Sequence, residues 1–186
     1  MIEKLSSYCF KNHISHYVMV DYHEYALEMN LQQIDIDSHL DYDKTLHALN
    51  HFLHLETLRF KTIKLLDKNI HYVFLDRSFL TLLSHLKAIS HLGFLSLDKF
   101  SSLEKIILEF TSLVEFNKLV VLDVPQNILE QRDPNNEYGI FSNKRYNQEF
   151  SEAVLTYKNR FKTIIDFKVL KNNSVSPNLF KEILTF

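Results

Sequence analysis

The most chemically suggestive stretch of the chain is His71-Tyr72-Val73-Phe74-Leu75-Asp76-Arg77-Ser78. An apolar run ends abruptly in a carboxylate, a guanidinium and a hydroxyl, and an apolar helical pattern follows at once. A run of this length, bounded in this way, reads as a buried strand. Its polar end then lies at the carboxyl end of the strand, where open α/β sheets bind their ligands. Arg77 suits a phosphate, because the planar fork of a guanidinium meets two oxygens at once. Ser78 falls near a helix N-terminus, whose free N–H groups favour anions. Three polar groups after a buried strand are costly unless they are paired or used. Function is therefore expected at Asp76, Arg77 and Ser78.

Two further strand candidates end in acids, Tyr17 to Asp21 and Lys118 to Asp123. Arg59 and Arg132 are placed near the same predicted edge as Arg77. In a parallel sheet these strand ends share one side, so together they could form a polyanion site. For Asp123 alone, solvation of the sheet edge is the simpler role. Other groupings fail the test of their own chemistry. His47, His51 and His54 recur at i, i+4 and i+7, but zinc needs further ligands and a companion motif that the sequence lacks. They read as a surface stripe. Asp35, Asp37, Asp41 and Asp43 give one segment a negative cast, yet a calcium loop needs a central glycine and none is there.

The elements that must position these residues alternate. Helical patterns cover Ile2 to Asn12, Lys44 to Lys68, Phe79 to His91, Ser101 or Ser102 to Phe116, Tyr146 to Phe161, and Ser176-Pro177 to Phe186. In the long second helix, Leu46, Leu49, Leu53, Phe60 and Ile63 mark the apolar stripe. Pro125 opens a short helix reaching Arg132, and Gly93 is placed to stop the Phe79 helix. A last strand is expected near Ile164 to Leu170. Strands alternating with helices predict βαβ units, hence an α/β fold with a parallel sheet and helices on both faces. The whole of 1–186 reads as a single domain, with the hydrophobic share, 46%, sufficient for a real core.

Composition removes several function classes. With 21 basic and 23 acidic residues intermixed, there is no electrostatic case for nucleic acid or a membrane surface. One cysteine, Cys9, excludes an internal disulfide framework and fits a reducing, cytoplasmic setting. The two glycines, Gly93 and Gly139, cannot build a phosphate-cradling loop, and neither GxxxxGK[ST] nor GxGxxG occurs. Without GxSxG there is no nucleophile elbow of the α/β-hydrolase kind either.

Read in order, the chain resembles the thymidylate kinase and deoxynucleoside kinase group of P-loop phosphotransferases. The resemblance rests on Leu55-Glu56-Thr57-Leu58-Arg59, Val73-Phe74-Leu75-Asp76-Arg77-Ser78, and Leu119-Val120-Val121-Leu122-Asp123-Val124-Pro125 followed by Arg132. The helix bearing Phe150 and Tyr157 is similar to the family's last long helix. The resemblance implies a three-layer kinase-like fold, ATP and Mg2+ as cofactors, and a nucleoside or nucleotide as phosphoryl acceptor. It implies that Arg77 and Arg59, with Asp76 and Ser78, hold the acceptor, and that Glu24 or Asp21 orients it or serves as base. It also implies a lid at 133–145, with Arg132, Lys144 and Arg145 as cations against the transferring group.

One departure from that pattern stands out. The family's first strand and Walker A loop precede its first helix, whereas this chain starts in what reads as that helix. The expectation is a fold without its central strand and with little or no ATP-dependent activity. A free strand edge would favour association into a homodimer. The runner-up expectation is a non-catalytic nucleotide-binding or interaction protein.

Overall fold

A computed structural model describes residues 2–32, 34, 42–111, 118–123, 127, 131, 140, 143–161, 166–171 and 177–185. In chain order the elements are α1 (Ile2–Lys11), β1 (His16–Met19), α2 (Tyr22–Glu28), α3 (Tyr42–Lys64), β2 (Tyr72–Leu75), α4 (Phe79–His91), α5 (Leu97–Thr111), β3 (Lys118–Asp123), α6 (Lys144–Phe161), β4 (Asp166–Lys171) and α7 (Pro177–Leu184). Among the described residues no helix is long and apolar enough to cross a membrane.

The expected single sheet between two helical layers is not what forms. The strands make two separate two-stranded parallel pairs, β1 with β2 and β3 with β4, and helix predominates around them. The physical reason lies in the strands. β1 and β2 are four residues each, and every position of β2 is only half-buried. A ribbon that narrow has too little face to seat helices on both sides, as a three-layer fold requires. The strand before Asp76 is thus not the fully buried one its apolar letters suggest.

The chain divides into two compact units. Unit 1 holds 1–82 and 105–114. Its core packs Met19, Tyr22, Tyr25 and Ala26 against Ala48, Phe52 and Leu55, with Tyr17, Leu58 and Leu75 at the margin. The Tyr25 hydroxyl meets Thr62 Oγ1 at 3.0 Å and ties α2 to α3. Unit 2 holds 83–104 and 115–186. There Glu104 on α5 accepts from the Tyr157 hydroxyl at 2.7 Å and lies 3.6 Å from Arg160, both on α6. His85 and His91 on α4 meet Tyr146 (2.8 Å) and Glu149 (2.6 Å) on the same helix α6.

Several boundaries match local chemistry. α4 spans Phe79–His91 as its pattern predicts, and β3 spans Lys118–Asp123. α5 begins at Leu97, earlier than Ser101, with the Ser96 carbonyl accepting from Phe100 N–H at 2.8 Å. The Asn143 side chain accepts from Tyr146 N–H at 3.1 Å and so caps α6, which therefore starts at Lys144.

α1, α2 and α4 end alike, with a left-handed residue just past the helix: His13 (φ 55°), Asn30 (φ 53°) and Gly93 (φ 84°). In each, the following N–H reaches back five residues, as from Phe94 to the Ile89 carbonyl at 3.0 Å. This is the hydrogen-bond pattern of a Schellman ending. At Gly93 an added Cβ would meet nothing within 4 Å, so only backbone strain opposes a side chain. Gly93→Ala should lower the unfolding free energy by about 1 kcal/mol in urea denaturation, and Gly93→Asn by less.

Candidate anion site at the β2–α4 turn

The site begins with helix α3. Its buried residues are Thr45, Ala48, Leu49, Phe52, Leu53, Leu55, Glu56 and Arg59. The inward face is thus rotated from the predicted stripe, since Leu46, Phe60 and Ile63 are only half-buried. The rotation carries a carboxylate and a guanidinium into the core. Glu56 and Arg59 are both 0% exposed, and Glu56 Oε2 accepts from Arg59 Nη1 at 3.0 Å.

Arg59 then reaches across to the turn after β2. Its Nη2 donates to the Asp76 carbonyl at 2.9 Å, and Nη1 and Nη2 each lie 3.4 Å from the Arg77 carbonyl. Its guanidinium carbon sits 4.8 Å from the centre of the Tyr22 ring, close enough for a cation–π contact. One buried side chain therefore fixes two consecutive carbonyls of the Asp-Arg-Ser segment.

That grip explains an otherwise odd backbone. Arg77 has φ 61°, a left-handed conformation. His13, Asn30 and Gly93 adopt it at helix C-termini, where a local motif rewards it. Arg77 instead lies between a strand and a helix N-terminus, without that reward. A non-glycine residue held so costs roughly 1–2 kcal/mol and persists only when its surroundings impose it. Arg77 itself is exposed, while Ser78 behind it is buried. Ser78 Oγ accepts from Leu80 N–H at 3.3 Å, and Ser78 N–H donates to Thr81 Oγ1 at 3.4 Å. The pair caps α4 reciprocally, with threonine in the place a capping box gives to glutamate.

The structure treats the other expected site residues differently. The β1–β2 register pairs Met19 with Leu75, so Asp21 and Asp76 follow their strands at the same end. The Asp21 carboxylate is engaged there. It accepts from His23 N–H (2.9 Å) and Glu24 N–H (3.0 Å) and caps α2. Glu24 is exposed on the first turn of α2, and Asp76 is exposed too. Arg59 contacts protein on every side. Lys144 and Arg145 are exposed in the first turn of α6, in unit 2. Arg132 and 133–139 lie outside the described residues.

Glu56 and Tyr22 are the site residues whose roles the spacing did not suggest. The available signal was i, i+3 spacing of Glu56 and Arg59 among buried positions of an amphipathic helix. Burial pushes the Glu56 carboxyl up to about 7, against the attraction of Arg59 and the Phe79 N–H, which favour its charged form. Burial also raises the Tyr22 phenol well above its ordinary range, with the nearby Glu56 carboxylate adding to the effect. The Tyr22 hydroxyl biases Glu56 without completing a hydrogen bond of good geometry. Tyr22 Oη, Glu56 Oε1 and Arg59 Nε are buried with no hydrogen-bond partner among the described residues. The histidine stripe stays peripheral. His47 and His54 are exposed, while burial and then the neighbouring His54, His47 and His23 hold His51 low. Among the described residues no group of three or more His, Cys, Asp or Glu side chains could hold a metal ion.

Two consequences can be measured. Arg59→Met strands the Glu56 carboxylate in the core and should cost about 3–5 kcal/mol of unfolding free energy. The second concerns pH. Between the ordinary 4.5 and about 7, folded Glu56 holds a proton that the unfolded chain has released. Stability from this group is full below the lower value and is lost as pH rises through the upper one. Urea denaturation should show the wild type losing stability relative to Glu56→Gln as pH rises from 4.5 to about 7, with no further loss above that.

No protein-family model matches the chain, and a search of curated proteins gives no significant match.

Proposed function

We propose that the protein binds a small phosphorylated ligand, of the nucleoside monophosphate class, at the β2–α4 turn. Arg77 is the anion contact, and Arg59 holds the backbone that presents it. The observation that carries this reading is the exposed Arg77 locked at φ 61° by hydrogen bonds from a fully buried arginine. Strain maintained at an exposed cation is characteristic of binding segments. The N-terminus of α4 beside it contributes its helix dipole, though its Phe79 and Leu80 N–H groups are already engaged by Glu56 and Ser78.

On this reading the chain is an acceptor-binding protein rather than a working kinase. The 186 residues contain no GxxxxGK[ST] and have two glycines from which to build one. Phosphoryl transfer depends on cradling the donor phosphates with Mg2+ and cations, and these residues supply no glycine-rich loop for that cradle. We place the protein in the cytoplasm, where a lone buried thiol such as Cys9 suits the reducing conditions.

Calorimetry with thymidine 5′-monophosphate and with thymidine tests the reading. The monophosphate should bind the wild type, and Arg77→Ala should weaken it by roughly tenfold to a hundredfold, with thymidine little affected. Equal binding to wild type and Arg77→Ala, or none to the wild type, would overturn the proposal. ATP with Mg2+ should give no product, and clear turnover would contradict the non-catalytic part.

A further inference from the structure

The same turn is attached to a titratable group that has no access to solvent. Glu56 is fully buried and is the ionic partner of Arg59, whose other donors hold the Asp76 and Arg77 carbonyls. The groups that face Glu56 among the described residues come from three elements. Arg59 lies on its own helix α3, the Tyr22 hydroxyl comes from α2, and the Phe79 N–H comes from the first turn of α4. Arg77 bears on the same cluster through Tyr22. A change in charge at Glu56 therefore has a short covalent and hydrogen-bonded path to both sides of the turn, its carbonyls through Arg59 and its helix start through Phe79.

We propose that Glu56 is a positioning residue for the anion site: its ionised carboxylate, acting through Arg59, keeps the 76–79 turn in the form that presents Arg77. The proposal rests on reading Arg77 as the anion contact. With the carboxylate protonated, Arg59 keeps its charge but loses its ionic partner, and the guanidinium is no longer held in one orientation. The strained φ of Arg77 then relaxes, because nothing local favours it. The chemistry fits a physiological range, since burial has already moved Glu56 to about 7.

Two opposing effects make the test decisive. If protonation merely removed a negative charge near the site, anions would bind more tightly at low pH. If Glu56 works by positioning, they bind more weakly. Sulfate is the probe, because its charge is constant across the range, unlike that of a phosphate monoester. NMR of the full chain should show the Arg77 and Phe79 amides titrating together with the Glu56 carboxyl carbon, with a midpoint about 7. Sulfate affinity should fall severalfold below that midpoint.

Glu56→Gln should abolish the titration of both amides. Tyr22→Phe, the milder change if Glu56→Gln does not fold, should move the midpoint upward, because the Tyr22 hydroxyl favours the charged carboxylate. Tighter sulfate binding at low pH overturns the proposal, as do Arg77 and Phe79 amides that ignore the Glu56 titration. Sulfate binding at neither pH, with the amides still titrating, overturns the reading of Arg77 as an anion contact and reduces the role of Glu56 to holding the 76–79 turn.

Discussion

Unit 1 depends on an ion pair with no access to water. Moving Glu56 and Arg59 into the core carries a large desolvation cost, and the attraction within one pair rarely repays it in full. The raised Glu56 carboxyl expresses that deficit directly. Replacing such a pair by apolar side chains is often neutral or stabilising. Its presence here is better understood through what Arg59 holds. A guanidinium has donors enough to bind a carboxylate with one nitrogen and reach backbone carbonyls with two. The pair converts a buried charge into a fixed turn, and the turn carries the one left-handed residue among those described that no helix ending accounts for.

The site so formed is local. Arg59, Asp76, Arg77 and Ser78 come together because β2 runs into α4 beside the C-terminal half of α3. Asp21 reaches the same end through the parallel register of β1 but is used as a helix cap. Lys144 and Arg145 sit at the start of α6, where cations oppose the helix dipole. Their arrangement in unit 2 is a separate matter from the turn in unit 1.

Much of this was legible in the letters. The strand-to-helix switch at Asp76-Arg77-Ser78 was plain, because a short apolar run ended in three polar residues and an apolar helical pattern followed at once. Gly93 marked a helix end, since only a residue at ease with positive φ closes a Schellman motif cheaply. His47 and His54 are exposed as a polar stripe on an amphipathic helix should be, while His51 between them is half-buried against Phe52. The burial of Arg59 was not evident. Periodicity assigns faces by hydrophobicity, and it turned α3 toward Leu46, Phe60 and Ile63, whereas the buried face runs through Ala48, Phe52, Leu55, Glu56 and Arg59. The sheet was also overestimated. Apolar composition made each strand look fully covered, but pairing partners, not composition, decide how wide a sheet becomes.

The central claim is that the forked geometry of Arg59, rather than its charge, holds the turn. Arg59→Lys isolates the two, since lysine can still neutralise Glu56 but cannot span a carboxylate and two carbonyls. The measurement is the unfolding free energy of Arg59→Lys against wild type at a pH well above the Glu56 titration. The account predicts a loss of about 2 kcal/mol or more, from the forfeited carbonyl bonds and the strain they support. A lysine variant as stable as the wild type would contradict it.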